Sequence, residues 1–231
     1  FAESIDTVTL NLREIQPTVF FAVPRIWERL IAGVYIRGND ATPFKRALFN
    51  FGIRLARTIG KEKVANGGDH TVKSRVLSWI GEPLVFRAIK ERIGLRRCSH
   101  SASGAAAIAP EVLEFFMGIG VPVFELYGMT ENAAVATCNF AGRNKLGTVG
   151  EPYADIGLRL DPETGEIQTK HPGVFVGYWN KPDKTAETFT EDGWLMTGDV
   201  GEWVDGTHVK IVDRIKHIII TSGGKNISPS E

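Results

Sequence analysis

The sequence predicts an α/β fold in which a mixed sheet flanked by helices is followed by a small β-barrel-like subdomain. Within residues 1–140, compact β-prone runs at residues 18–23 and 121–124 alternate with segments of helical periodicity. Beyond Cys138 the segments shorten, and Asp-Pro, Thr-Gly, Pro-Gly and Asp-Gly turns separate short strand-like runs. We therefore expect an α/β part at residues 1–140 and a barrel-like part at residues 141–212.

The composition is that of a globular protein without an overall charge bias. The 231 residues are 43% hydrophobic and 23% charged. Basic and acidic residues both number 27, so the net charge gives no reason to expect a nucleic-acid partner. Cys98 and Cys138 are too few for a disulfide framework, which favours a reducing, cytoplasmic location. No apolar run reaches the ~20 residues of a membrane span.

Charge is distributed unevenly along the chain. Residues 42–97 contain 13 basic and 4 acidic residues, whereas residues 98–205 contain 6 basic and 16 acidic residues. Part of the basic excess lies on the polar side of a predicted helix, at Arg46, Arg54, Arg57 and Lys61. Such a helix most often presents a solvated face above a core. The alternative hypothesis is peripheral attachment to an anionic membrane.

The first half of the sequence predicts several helices. Pro24 begins one that runs to about Tyr35, because proline is favourable at the first helical position. Thr42 and Pro43 begin another. Its predicted apolar face consists of Phe44, Leu48, Phe51, Leu55 and Ile59. Further helices are predicted at residues 72–80, 83–93 and 110–117, and a short one begins at Pro182.

The stretch around which the chain is organised follows the apolar run at residues 121–124. It consists of Glu125, Leu126, Tyr127, Gly128, Met129, Thr130 and Glu131. Open α/β sheets place their ligands at such strand ends. The Tyr127 ring can stack on a flat heterocycle, and Gly128 avoids crowding in the turn. Thr130 can reach a phosphate oxygen and Glu131 can hold a hard cation. The alternative is an ordinary strand-to-loop transition with incidental polar residues.

Three other segments carry residues suited to a nucleotide. Small side chains that let the backbone approach a planar ligand follow a predicted strand, at Ser103, Gly104, Ala105 and Ala106. Asp199, after a predicted tight turn, is suited to vicinal hydroxyl groups such as those of ribose. Arg214, at the end of a predicted strand, is a natural partner for ribose or phosphate oxygens. Taken singly, residues 103–106 are better explained as a tight strand–helix corner, and the segments of Asp199 and Arg214 can each be read as a surface turn.

The order of these segments resembles the adenylate-forming (AMP-binding) superfamily, and specifically its acyl-CoA synthetases. Residues 127–131 are similar to the central aromatic-Gly-x-Thr-Glu motif of that family. Residues 103–106 resemble its adenine-binding loop, residues 197–199 its ribose-binding motif and residues 213–216 its interdomain hinge. Residues 17–28 and the helical insertion that precedes residue 103 resemble long-chain fatty acid activators of the bubblegum type.

The resemblance implies an ATP-dependent ligase that activates a long-chain fatty acid as acyl-AMP and transfers it to coenzyme A. Thr130 and Glu131 would be catalytic, and Glu131 would hold magnesium. The nucleotide would be bound by Ser103, Gly104, Ala105, Ala106, Glu125, Leu126, Tyr127, Gly128, Asp199 and Arg214. Lys216 would be the hinge residue, with residues 213–231 leading into a C-terminal domain.

Two parts of the family pattern are missing from the sequence. These are the phosphate-binding loop, which normally lies upstream, and the catalytic lysine of the C-terminal domain. The first residues also lack an initiator methionine and a basic leader, so we expect an internal fragment that is incomplete for catalysis. One alternative is an adenylation domain for amino acids or other carboxylates, and another is a non-catalytic nucleotide-binding module.

Overall fold

The computed structural model describes Ser4 and residues 6–216, 219–220 and 226–227. They form two compact units, the first from Phe1–Glu125 with Phe140–Leu146 and the second from Leu126–Asn139 with Gly147–Glu231. The predicted fold class is confirmed: parallel strands with flanking helices are followed by an antiparallel barrel-like sheet. The finer division at residues 140 and 212 stays a prediction.

The first unit contains three parallel strands. They are β1 (Val19–Ala22), β2 (His100–Ser103) and the first residues of β3 (Val123–Tyr127). Val19 pairs with His100, and Ser101 pairs with Val123. Helix α1 (Val8–Ile15) precedes β1, and helices occupy the connections between the strands, as parallel pairing requires. Those in the connections are α2 (Pro24–Asn39), α3 (Pro43–Ala65), α4 (Val72–Gly81), a π-helical turn (Glu82–Phe86), α5 (Arg87–Ile93) and α6 (Pro110–Gly118).

Aromatic contacts between β1, α2 and α6 form the centre of the first unit. Trp27 is fully buried, and its ring lies 5.0 Å from that of Phe20 and 4.8 Å from that of Phe116 in edge-to-face geometry. The helix predicted to begin at Pro24 is confirmed and extends to Asn39. Across the described part of the chain, none of the helices has both the length and the hydrophobicity that spanning a bilayer requires.

The predicted apolar face of α3 is wrong in part. Phe44 is 80% exposed and Phe51 is 44% exposed, although both were assigned to the core. Half of the residues that α3 buries are small, and none is aromatic: Gly52, Ile53, Ala56, Ile59, Gly60 and Lys63. The reason is close backbone packing, since a Cβ atom added at Gly60 would lie 1.9 Å from the Glu114 carbonyl oxygen on α6. A prediction that follows large apolar side chains misses such a face.

The second unit is built from short antiparallel strands. Leu126 and Tyr127 of β3 pair with β4 (Thr137–Cys138), which pairs with β5 (Glu151–Pro152). A separate sheet contains, in this order, β6 (Gly157–Leu160), β7 (Glu166–Lys170), β8 (Leu195–Val204) and β9 (His208–Arg214). A register shift between Val200 and Gly201 bends β8. The unit also contains α7 (Pro182–Ala186), β10 (Ile219–Ile220) and β11 (Asn226–Ile227).

Candidate functional site

Asp199 is the centre of a buried polar cluster in the second unit. The Tyr127 hydroxyl, at the end of β3, donates a 2.7 Å hydrogen bond to Asp199 Oδ2. Arg214 Nε, at the end of β9, lies 2.7 Å from Asp199 Oδ1. Asp199 is buried, whereas the Arg214 side chain is 60% exposed. The structure thus brings together three predicted site residues that are far apart in the sequence.

The backbone of β8 positions the Asp199 carboxylate. Gly198 has a φ angle of +74°, and its N–H donates a 2.7 Å hydrogen bond to Glu166 Oε1. Thr197 Oγ1 donates to the Ile167 carbonyl oxygen at 2.7 Å and accepts from the Asp199 N–H at 3.2 Å. The expectation that Asp199 follows a tight turn is wrong, because these bonds hold residues 197–199 inside β8. The left-handed glycine supplies the local change of direction.

Burial controls the protonation of this cluster. It raises the pKa of the Tyr127 hydroxyl, and the neighbouring Asp199 carboxylate raises that pKa further. The Tyr127 hydroxyl therefore stays protonated and remains a donor at neutral pH. Arg214 supplies the positive charge that a buried carboxylate needs. The Asp199 carboxylate is accordingly a preorganised acceptor that has an exposed cation beside it.

Glu131 lies on a single 3-10 turn, Thr130–Asn132, and is held from two directions. Its carbonyl oxygen accepts a 2.7 Å hydrogen bond from the Phe175 N–H. Its carboxylate Oε1 accepts a 2.8 Å hydrogen bond from the Tyr178 hydroxyl, which raises the pKa of Tyr178. Tyr178 was not among the site residues predicted from the sequence, and no local signal distinguishes it.

Among the residues that the structure describes, no preformed metal site accompanies Glu131. Within the described ranges, no three His, Cys, Asp or Glu side chains come together as ligands. Thr130 is exposed next to Glu131. A cation at Glu131 would therefore need oxygen ligands from a bound molecule, which is how magnesium usually binds phosphates in proteins. The roles predicted for Thr130 and Glu131 stay predictions.

The turn after β3 is tightly folded. A Cβ atom added at Gly128 would lie 2.2 Å from the carbonyl carbon of Ala134, so only glycine fits there. Ala133 and Ala134 both have left-handed backbone conformations, with φ angles of +56° and +57°. This conformation is unfavourable for alanine, and it occurs most often where a functional loop must hold a fixed shape.

The small-residue segment after β2 belongs to the first unit. Ser103 and Gly104 are buried, whereas Ala105 and Ala106 are exposed. The Ser103 Oγ atom is buried without a hydrogen-bond partner among the described residues. Ala105 has a φ angle of +70°. A buried hydroxyl without a partner beside an exposed, backbone-rich turn is suited to a polar, flat ligand.

The remaining predicted residues occupy three different environments. Burial raises the pKa of Glu125 to about 7. Leu126 is half-buried and pairs with Cys138 across the strands. Lys216 is exposed just after β9, and the segment predicted to continue from it into a C-terminal domain lies largely outside the described residues. The roles predicted for these three residues stay predictions.

Comparison with known proteins identifies the family. The family model described as AMP-binding enzyme matches residues 2–179, and the chain belongs to this family. The long-chain-fatty-acid–CoA ligase ACSBG2 of Xenopus laevis is 33% identical over 227 residues. That alignment covers 96% of this chain but 30% of the relative, so the chain spans less than a third of that ligase.

Two solved structures share the fold. ATP-bound MatB from Rhodopseudomonas palustris is 28% identical, with a TM-score of 0.61, and the match covers 98% of this chain and 36% of that one. A malonyl-CoA ligase with methylmalonyl-CoA and AMP bound is 26% identical, with a TM-score of 0.56. That match covers 97% of this chain and 39% of the ligase.

Proposed function

We propose that the chain is part of an ATP-dependent ligase that activates a long-chain fatty acid and transfers it to coenzyme A. Membership of the AMP-binding enzyme family supports the use of ATP. The similarity to a long-chain-fatty-acid–CoA ligase supports the fatty acid substrate. The similarity to MatB with ATP bound, and to a malonyl-CoA ligase with methylmalonyl-CoA and AMP bound, supports the nucleotide and coenzyme A. A cytoplasmic location is part of the same proposal.

The observation that carries this proposal is the arrangement around Asp199. Both of its carboxylate oxygens accept at 2.7 Å, one from the Tyr127 hydroxyl and the other from Arg214 Nε. A ribose offers two adjacent hydroxyl donors, one for each of these carboxylate oxygens. Asp199 would bind the ribose by exchanging one or both of its present partners for these hydroxyls. Arg214 is 60% exposed and is free to turn towards ribose or phosphate oxygens as it leaves.

The adenine would contact the Ser103 hydroxyl and the backbone of residues 104–106. The Ser103 Oγ atom is buried and lacks a partner among the described residues, and a purine offers both donors and acceptors. Gly104, Ala105 and Ala106 present backbone rather than bulky side chains, which suits contact with a flat ring. The nucleotide-contacting roles of Glu125, Leu126, Tyr127 and Gly128 follow from the family resemblance.

Glu131 would hold magnesium together with the phosphates, and the ion would neutralise charge as the reaction proceeds. A single carboxylate is sufficient for this purpose because phosphate oxygens and water complete the coordination. The exposed Thr130 hydroxyl would donate to a phosphate oxygen. Tyr178 would orient the Glu131 carboxylate, because it donates a hydrogen bond to Oε1.

The proposed reaction has two steps. A carboxylate oxygen of the fatty acid attacks the α-phosphorus of ATP, and pyrophosphate leaves. The sulfur of coenzyme A, after losing its proton to solvent, then attacks the acyl carbon, and AMP leaves. In the first step negative charge approaches negative charge, so Arg214 and a cation held by Glu131 would stabilise the charge that develops. Lys216 would be the residue at which the remainder of the ligase rotates between the two steps.

The experiment is ATP–pyrophosphate exchange by the complete protein that contains this chain, with palmitate, acetate, malonate and phenylalanine offered in turn. We expect exchange with palmitate and thioester formation when coenzyme A is added. Exchange with phenylalanine or malonate instead would replace this proposal by the adenylation of another carboxylate. Binding of ATP without exchange on any of the four would indicate a non-catalytic nucleotide-binding module.

A further inference from the structure

Helix α4 presents most of its large apolar side chains to solvent. Val72, Val76 and Trp79 recur at helical spacing and are 82%, 54% and 80% exposed. The residues that α4 buries are Ser74 and Gly81. This polarity is the reverse of that of an ordinary surface helix, in which the apolar stripe faces the core.

The orientation of α4 is fixed by contacts at both ends. The Thr71 hydroxyl oxygen accepts a 3.0 Å hydrogen bond from the Ser74 N–H and caps the first turn. Leu77 packs against the core of the first unit. At the last turn, a Cβ atom added at Gly81 would lie 2.2 Å from the Phe86 ring. Rotating α4 to bury Trp79 would break all three contacts.

The exposed apolar surface continues into the π-helical turn. Ile80 is 38% exposed and Leu84 is 47% exposed, and both border an open groove of about 790 Å³. We call Val72, Val76, Trp79, Ile80 and Leu84 the α4 patch. Contiguous exposed apolar residues of this kind mark surfaces that bind another molecule or a membrane.

Cations surround the α4 patch. Lys73, Arg75 and Arg87 are exposed, and residues 71–93 contain five basic residues and two acidic ones. Both acidic residues are paired: Glu82 Oε2 lies 2.9 Å from Lys90 Nζ, and Glu91 Oε1 lies 3.5 Å from Arg87 Nε. Lys73 is likewise paired with Glu62. The positive character of the rim therefore comes from Arg75 and from the excess of five basic over two acidic residues at positions 71–93, and it complements an anionic surface.

We propose that the α4 patch docks the protein on an anionic lipid bilayer, with Trp79 at the level of the headgroups. Tryptophan favours this interface because its ring is apolar and its N–H is polar. The five side chains of the α4 patch, on α4 and the π-helical turn, are fewer than the 20–30 residues per partner of a typical stable protein interface. They are enough for interfacial binding when cations add attraction to anionic lipids. The basic residues of α3 on which the sequence hypothesis rested, Arg46, Arg54, Arg57 and Lys61, are exposed on the neighbouring helix, and their attachment to a membrane stays a prediction.

Cosedimentation of the complete protein that contains this chain with vesicles tests this proposal. We expect binding to phosphatidylcholine–phosphatidylserine vesicles at low salt, at least tenfold weaker binding to phosphatidylcholine alone, and weakening as sodium chloride is added. Trp79→Ser should reduce binding about tenfold, and Arg75→Gln should reduce it severalfold. The matched control is Trp179→Ser, because Trp179 is 89% exposed but lies in the second unit.

Quenching by brominated lipids tests whether Trp79 itself enters the bilayer. Vesicle-dependent quenching should be present in the unsubstituted protein and in Trp179→Phe, and it should disappear in Trp79→Phe. Three results would overturn the proposal. One is no binding to anionic vesicles at low salt, and another is equal loss of binding in Trp79→Ser and Trp179→Ser. The third is a concentration-dependent dimer that Trp79→Ser abolishes, since the patch would then bind a second copy.

Discussion

The hydroxyl of Tyr127 donates a 2.7 Å hydrogen bond to the carboxylate of Asp199, a residue 72 positions further along the chain. Both side chains are buried, and Arg214 compensates the charge from the opposite oxygen of the carboxylate. The bond therefore serves the stability of the second unit as well as the geometry of the candidate site. Its two roles can be separated by experiment.

Tyr127→Phe should lower the free energy of unfolding by about 1–3 kcal/mol, because it removes the donor and leaves a buried carboxylate oxygen without it. Urea denaturation measures this change. The control is Tyr178→Phe, which also removes a hydroxyl bound to a carboxylate, but at a residue that is 38% exposed. Its effect should be below about 1 kcal/mol. Equal losses of unfolding free energy in the two variants would show that the buried Tyr127 bond stabilises the protein no more than the exposed Tyr178 bond does.

Gly60→Ala should destabilise the first unit by about 1–3 kcal/mol, because the added methyl group would overlap the Glu114 carbonyl oxygen on α6. Gly33→Ala is the matched control, since Gly33 lies within α2 and no atom stands within 4 Å of its added Cβ. That variant should be neutral or gain up to about 1 kcal/mol from helix propensity. Thermal unfolding compares them, and a stable Gly60→Ala would contradict the close packing of α3 on α6.

The stability of the protein should depend on Glu125 between about pH 4.5 and pH 7. Burial raises the pKa of Glu125 from 4.5 to about 7 in the folded protein. A raised pKa means that the folded state binds the proton more tightly, so the associated stability is present below pH 4.5 and is lost as the pH rises through about 7. Glu125→Gln should remove this component of the pH dependence, measured by urea midpoints across the range. The exposed Glu111→Gln should leave the dependence as it is, and an unchanged slope in Glu125→Gln would refute the prediction.

Glu131→Gln should lower the rate of acyl-AMP formation in the complete protein by orders of magnitude and leave the fold intact. The loss follows from removing the charge that would hold magnesium at the phosphates, which stabilises the transition state by several kcal/mol. Pyrophosphate release measures the rate. Glu187→Gln is the control, because Glu187 is an exposed glutamate in the same unit. A near-normal rate in Glu131→Gln would remove Glu131 from the site.

Local patterns were sufficient to predict the fold class and most of the elements. Pro24 marks the start of α2, the apolar run before Tyr127 marks β3, and dipeptide turns separate the strands of the second unit. These signals depend on residues close together in the sequence, so no tertiary information was needed. The residues of the Asp199 cluster could be predicted from their chemistry and their order in the sequence. The contacts among them could not be predicted.

What the sequence did not reveal depends on packing between distant segments. The buried face of α3 is chosen by contact with α6, which favours Gly60 over Phe44. The exposed face of α4 is chosen by the cap at Thr71 and by Gly81, although the helix itself was predicted. Tyr178 was missed because its link to Glu131 joins residues 47 positions apart. Residues 197–199 were assigned to a turn because a glycine within a strand gives the same local signal.

The central claim is that Asp199 binds the ribose of the nucleotide, and calorimetric titration with AMP and with 2′,3′-dideoxy-AMP tests it most directly. The complete protein and its Asp199→Asn variant are each titrated with both ligands, and circular dichroism establishes that the variant is folded. We predict that removing the two hydroxyls weakens binding to the unsubstituted protein at least tenfold and has little effect on the variant. This difference between the two proteins isolates the contact between Asp199 and the ribose. An equal loss in both proteins, or an unchanged affinity of Asp199→Asn for AMP, would contradict the claim.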